Sequence, residues 1–217
     1  MLTIEKTVLP SPEQWEIIIE GMRNPMNSWD KMDSVADWDD WLQAVEFQLG
    51  DADRGLMTKL AKGGAVHAKY RRMIPVYVTI NAPLYWWKEF DTYKVGTVCN
   101  SCSTMHKIHS KEFELSDFSL EHLLGRNITL LEDIIERLNE DRGFFLEEGL
   151  KSDWWQLIQM LPTSYNQKRT VMLNYEVLVN IYKWRRNHKL DEWHTFCDWI
   201  EDLPYAELIT GGADGEH

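Results

Sequence analysis

The stretch "GGAVHAKYRRMIPVYVTINAPLYWWKEFDTYKVG", from Gly63 to Gly96, changes period partway along. Ile74, Val76, Val78 and Ile80 alternate with Pro75, Tyr77 and Thr79, the spacing of a strand with one buried face. Pro75 lacks a backbone N–H, so the strand begins there or lies on an edge. After Pro83 the alternation gives way to the aromatic and charged run "LYWWKEF", which predicts a helix leading into a loop, "KVGTVCNSC". A strand followed by a helix inside a chain that is otherwise helical in pattern argues for an α+β class.

The flanking sequence supplies the helices. In "SPEQWEIIIEGM", Ser11 is placed as a cap, Pro12 as the first helical residue and Gln14 to close a capping box; Trp15, Ile18, Ile19 and Met22 form one buried stripe. The acidic "RNPMNSWDKMDSVADWDDWLQAV" reads as a solvated helix face, since it lacks the spaced loop and central Gly of a calcium hand. "NITLLEDIIERLNEDR" sets Ile128, Leu131, Ile135 and Leu138 on one stripe, and "TVMLNYEVLVNIYKWRRNH" and "DEWHTFCDWIEDL" are helical by the same test. Few strands are visible. The expectation is a mainly helical single domain with a small antiparallel sheet over residues 1–210, and a frayed, disordered tail over 211–217.

Composition narrows the function classes. The 217 residues are 44% hydrophobic, enough for a sizeable core, and the net charge of -12, from 35 acidic against 23 basic residues, argues against a nucleic-acid polymer as partner. A single nucleotide needs only two or three local cations. No apolar run approaches the roughly 20 residues that span a bilayer, so no membrane partner is expected. "MLTIEKTVLP" has neither the basic start nor the apolar middle of a signal peptide, so a cytoplasmic location is expected. The three cysteines are an odd number and are read as reduced. Eleven tryptophans favour a well-packed core or a subunit interface.

Cys99, Cys102, His106 and His109 offer zinc donor types, but all four fall in one short segment, whereas structural zinc draws on two separated ligand pairs. Ordinary thiols in a packed loop are the reading preferred over zinc or a redox dithiol. The chain has no G-x-S-x-G elbow and no Gly-rich phosphate loop.

Two stretches carry a family resemblance. The segment quoted first resembles the flavin-dependent thymidylate synthases, in which a Gly-His element precedes a strand, a Cys-Pro or Ala-Pro step, and a helix carrying Arg-Gln-Trp and then Arg-His-Arg. His67, Pro83, Lys88, Glu89 and Phe90 fall on that pattern without a gap. "MLPTSYNQKRTVMLNYEVLVNIYKWRRNHKLDEW" resembles the second signature of the family through Leu161, Pro162, Asn174, Asn180 and Arg185. The resemblance covers roughly Gly64 to Trp193.

It implies an α+β subunit in a homotetramer whose sites, each built from several subunits, hold FAD beside deoxyuridylate, with NADPH and methylenetetrahydrofolate as cosubstrates. By that resemblance His67, Asn174 and Asn180 hold the flavin together with the Thr92-Tyr93-Lys94 triplet. Lys88, Glu89 and either Cys102 or Ser103 face the nucleotide, and Arg185 contacts its pyrimidine as the catalytic cation.

The departures are specific. Thr92-Tyr93-Lys94 stands for Arg-His-Arg, Thr104 or Met105 for a phosphate-binding Arg, and Glu176 for an Arg near the flavin. They leave open a relative acting on another pyrimidine nucleotide, or a non-catalytic nucleotide-binding or regulatory protein that kept the fold and lost the flavin.

Overall fold

A computed structural model describes residues 1–211. Its strands are β1 (Thr3–Val8), β2 (Val35–Asp39), β3 (Ala44–Gln48), β4 (Pro75–Pro83), β5 (Val98–Ser101) and β6 (Asn166–Asn174). Its helices are α1 (Pro12–Arg23), α2 (Asp51–Lys62), α3 (Leu84–Phe90), α4 (Arg126–Glu148), α5 (Lys151–Met160), α6 (Tyr175–Arg185), α7 (Asp191–Glu201) and α8 (Glu207–Thr210). The mainly helical α+β class is what the described residues form. The tail expected at the end lies, from residue 212, outside them.

Four strands form a sheet in the order β1-β4-β6-β5, and β2 and β3 form a separate antiparallel hairpin. β4 and β6 run antiparallel: Tyr175 N donates to Ile74 O, the Thr79 and Thr170 hydroxyls meet at 3.0 Å, and Leu84 N donates to Tyr165 O. β4 starts at Pro75, and because it lies inside the sheet, the proline occupies the strand start rather than an edge. Val76, Val78, Ile80 and Ala82 are buried, the face that the alternation marks.

The chain divides into two compact units, one of Met1–Glu5, Thr79–Thr92 and Cys99–Thr170, the other of Lys6–Val78, Tyr93–Val98 and Val171 onward. In the first, Ile108, Phe113, Phe118, Leu131, Ile135, Leu138 and Leu157 form one apolar cluster under α4 and α5. Trp86, Trp87 and Phe90 of α3 are buried; Trp86 stacks on Phe90, and Trp87 meets both edge-on, at 4.8–5.3 Å between centroids. In the second, Ser11 caps α1 and shares a capping box with Gln14, while Trp15 stacks on Phe47 and meets Tyr175 and Tyr205 edge-on.

The structure corrects the sequence reading in four places. The acidic segment is the β2–β3 hairpin, not a helix. Asp39 Oδ1 accepts from Trp41 N and Leu42 N, each at 2.8 Å, and Gln43 has φ 53, so aspartate here makes a turn rather than a helix surface. "TVML" belongs to β6, and the helix begins only after Asn174, whose side chain accepts from Val177 N as its cap. The "KVGTVCNSC" segment contains edge strand β5. Finally, the tryptophans divide: Trp15, Trp86, Trp87 and Trp193 are buried, whereas Trp29, Trp38, Trp41, Trp155 and Trp184 are exposed.

Candidate functional site

The residues marked in the sequence fall into both units. Lys88, Glu89, Thr92, Cys102 and Ser103 lie in the first; His67, Tyr93, Lys94, Asn174, Asn180 and Arg185 lie in the second.

In the second unit α6 sets the geometry. Arg185, in its last turn, is half-buried; its guanidinium lies 4.8 Å over the Trp193 ring and 5.6 Å from the Tyr93 ring, and its Nε donates to Tyr93 Oη at 2.9 Å. A guanidinium held over one indole and tethered by a phenol keeps its charge in a fixed place, which a flexible surface cation does not. Arg186 contrasts with it, donating to Asp198 at 2.6 Å and reaching Glu201 at 3.2 Å in exposed ion pairs. The two neighbours diverge because successive helix positions point about 100° apart.

At the other end of α6, Asn174 Oδ1 is taken by the cap, and its Nδ2 lies against the loop carrying Gly96. Gly96 has φ +79, and a Cβ there would stand 3.1 Å from Val177 Cγ2 and 3.2 Å from Asn174 Nδ2. Only glycine fits that approach without strain. Glu176 stands 3.5 Å from Arg71 Nη1, and Arg71 is only 2% exposed. The Arg71 Nε and Nη2 atoms and the Glu176 Oε2 are buried without a hydrogen-bond partner. Such atoms carry a desolvation cost that proteins remove at ordinary core positions. Asn180, Lys94 and His67 are exposed on the same unit.

In the first unit, β6 supplies a cation that sequence reading missed. Arg169 lies 4.3 Å over the Trp87 ring, donates to Asp91 at 2.7 Å and to Gln167 at 2.9 Å. Gln167 in turn donates from Nε2 to Cys102 O, and Cys102 N donates to Lys168 O. Ser103 Oγ accepts from His106 N and Met105 N, so its hydroxyl shapes the loop, while the Cys102 side chain is exposed. The signal that marks Arg169 is the strand period, which puts it on the same face of β6 as Gln167.

Cys99 lies in extended β5 and Cys102 just beyond it. At ~3.3 Å per residue their Cα atoms stand roughly 10 Å apart, outside disulfide reach, and both are free thiols. Desolvation raises the Cys99 thiol above its ordinary range, with Arg169 acting the other way. Burial pushes the Cys197 thiol up to about 12, so it stays protonated. His109 packs on Phe145 at 4.8 Å, and no group of three or more His, Cys, Asp or Glu among the described residues is arranged to hold a metal. Among the described residues no helix is long and apolar enough to cross a membrane.

The sequence matches no family model and no curated protein. Solved structures do match. Thymidylate synthase X from Helicobacter pylori, solved with FAD and dUMP, aligns over 99% of both chains at TM-score 0.66 and 15% identity. A second structure of the flavin-dependent enzyme from that organism, also complexed with FAD and dUMP, aligns over 95% of both chains at 0.63 and 16%. A UMP/dUMP methylase, PolB, from Streptomyces cacaoi, bound with 5-Br dUMP, covers 97% of this chain and 94% of its own at 0.62 and 13%. Along almost its entire length, the chain has the fold of the flavin-dependent thymidylate synthases.

Proposed function

We propose that the chain is a flavin-dependent enzyme that methylates deoxyuridylate or a closely related pyrimidine nucleotide. The observation that carries this reading is the fixed Arg185 guanidinium on a chain whose fold is shared with two structures holding FAD and dUMP. The PolB likeness supports a uridine nucleotide as the substrate class.

The residues present fit a flavin. Where two arginines of the resembling family are lost at Thr92 and Lys94, Lys94 still offers one cation. Where Glu176 replaces another, buried Arg71 at 3.5 Å offsets its charge and leaves two unpartnered N–H groups in place. Gly96 lets its loop approach Asn174 Nδ2 and Val177 more closely than any Cβ would allow. By the resemblance, Asn174, Asn180, His67, Tyr93 and Lys94 of this unit would then hold the cofactor. Flavin supplies a two-electron carrier between NADPH and the carbon donated by methylenetetrahydrofolate.

The chain's own part is electrostatic. As a pyrimidine carbon becomes nucleophilic, negative charge develops on the ring and its carbonyl, and a preoriented guanidinium stabilises it without reorganising. Trp193 and Tyr93 do the orienting, and partial burial of Arg185 strengthens the interaction. By the resemblance, Lys88, Glu89 and either Cys102 or Ser103 of the first unit would contact a nucleotide. A homotetramer is part of the same reading, and native mass spectrometry at micromolar concentration should find it; a strict monomer rejects it.

The deciding experiment is calorimetric titration of wild type, Arg185→Ala and Arg186→Ala with deoxyuridylate and other pyrimidine monophosphates. Arg185→Ala is expected to weaken binding by about 1.5–3 kcal/mol, roughly tenfold to hundredfold, and Arg186→Ala to change it little. Equal binding by both variants would remove Arg185 from the site. Flavin titration separates the enzyme from the binding protein: a chain that binds nucleotide and refuses FAD is a nucleotide-binding module that lost the chemistry.

A further inference from the structure

The β2–β3 hairpin is held at its base and bare at its tip. Ser34, just before β2, donates to Asp53 Oδ2 from its N and its Oγ, and Phe47 of β3 stacks on Trp15 of α1 at 5.7 Å. The register pairs Ala36 with Phe47 and Trp38 with Val45, so these four side chains share one face of the ribbon. Ala36 and Phe47 are half-buried there, whereas farther out Trp38 is 53% exposed and Val45 37%. In the turn Leu42 is exposed and Trp41 is 89% exposed. The Trp38 indole is fixed where it stands, its Nε1 donating to Asp40 Oδ1 at 3.0 Å. Single exposed apolar side chains are ordinary, but two tryptophans with two aliphatic neighbours at one tip form a patch, and patches mark contacts.

The charge around the patch selects the partner. From Met32 to Asp53 the chain has seven carboxylates and no Lys, Arg or His. Asp37 and Glu46 stand directly opposite each other across the ribbon, a like-charge pair that costs a hairpin stability. Neither they nor Asp40 form an ion pair among the described residues. Asp37 and Asp40 lie within two residues of Trp38, closer than the ~8 Å Debye length at physiological salt, so carboxylates and indole act on the same ligand. A second copy of the chain would set these carboxylates against one another. The patch is also small for that role, on the order of 500 Å² against the ~800 Å² per partner of a standard interface. An anionic lipid or nucleic-acid surface would be repelled.

We propose that the hairpin tip docks a cationic segment of another protein, an arginine- or lysine-rich stretch whose stems lie on Trp38, Trp41 and Val45. Its charges meet Asp40 on that side, and Asp37 and Glu46 draw them from the opposite face of the ribbon. An indole attracts a cation through its ring face and accepts the aliphatic stem as apolar surface, so both features of the tip serve one kind of ligand. The surface lies apart from the residues given to flavin and nucleotide, and its test uses neither.

The probe is a fluorescein-labelled hexa-arginine amide, with its uncharged counterpart hexa-citrulline beside it; binding to the whole chain is read by fluorescence anisotropy and stoichiometry by calorimetry. Wild type should bind one hexa-arginine per chain, saturably, and hexa-citrulline at least about tenfold more weakly. Trp41→Ala, at a side chain too exposed for folding to depend on it, should weaken hexa-arginine about tenfold. Asp37→Asn with Glu46→Gln should weaken it about fivefold and leave the thermal midpoint unchanged or higher, because the like-charge pair is gone. Glu132→Gln with Glu136→Gln, which removes two exposed charges from α4, should change binding by less than about twofold. An equal loss in that α4 control means that the peptide reads net charge alone and overturns the site, as does binding indifferent to Trp41→Ala. A lower oligomer mass for Trp41→Ala in native mass spectrometry would assign the tip to a contact between copies and overturn the proposal as well.

Discussion

Two buried arginines of the second unit, Arg23 and Arg71, are 3% and 2% exposed and solve the same problem differently. Arg23 Nε donates to Asp53 at 2.6 Å and its Nη1 to Ser28 O at 3.3 Å. Asp53 Oδ2 in turn accepts from Asp33 N, Ser34 N and Ser34 Oγ. Asp33 returns the favour by accepting from Ala52 N and Asp53 N, so the segment before the hairpin and the start of α2 are bound in one closed network. Arg71 has Glu176 at 3.5 Å and two nitrogens with no partner. The first arrangement is what a fold requires of a buried charge. The second carries an unoffset desolvation cost, and it stands where the chain departs in charge from the family it resembles. The fold's own network and the proposed ligand site thus differ in how completely their buried charges are satisfied.

That difference can be broken experimentally. The largest effect should come from Asp53→Ala, which strands Arg23 and three donors; a loss of about 3–5 kcal/mol in denaturant unfolding is expected. A loss below about 1 kcal/mol would mean that the network is ornamental. Next comes Gly96→Ala, which adds a Cβ at φ +79 against Val177 and Asn174 Nδ2. It should cost about 1–2 kcal/mol of stability and weaken flavin binding further than stability alone explains. Flavin binding unchanged in the folded variant would remove the Gly96 loop from the cofactor site. The smallest effect on stability belongs to the pair Arg71→Met with Glu176→Leu. Replacing both partners with apolar groups removes an unsatisfied pair, so stability should stay within about 1 kcal/mol or rise, while flavin affinity falls. A loss as large as that of Asp53→Ala would make the two arginines alike.

The sequence was most legible where local chemistry and tertiary demand coincide. Ser11, Gln14 and the Trp15, Ile18, Ile19, Met22 stripe specify α1, and the structure forms both the capping box and the buried face. Alternation specifies β4, and the structure adds that Pro75 begins it. Val35–Gln48 was less legible because aspartate and tryptophan suit a polar helix face as well as a hairpin. The turn hydrogen bonds of Asp39 decide for the hairpin, together with the stacking of Phe47 on Trp15. Thr170–Leu173 is an apolar run that either period accepts, and pairing with β4 decides for strand.

The candidate site divides in the same way. Sequence by itself determined the class and the charge balance and singled out Arg185 as a candidate, because helix stripes, strand alternation and family spacing are written in adjacent residues. Tertiary structure alone decided that Tyr93 and Trp193 hold Arg185, that Arg169 lies over Trp87, and that Arg71 answers Glu176. All but the Arg185–Trp193 contact join residues far apart in the chain, and no local periodicity encodes which distant side chain a buried charge will meet.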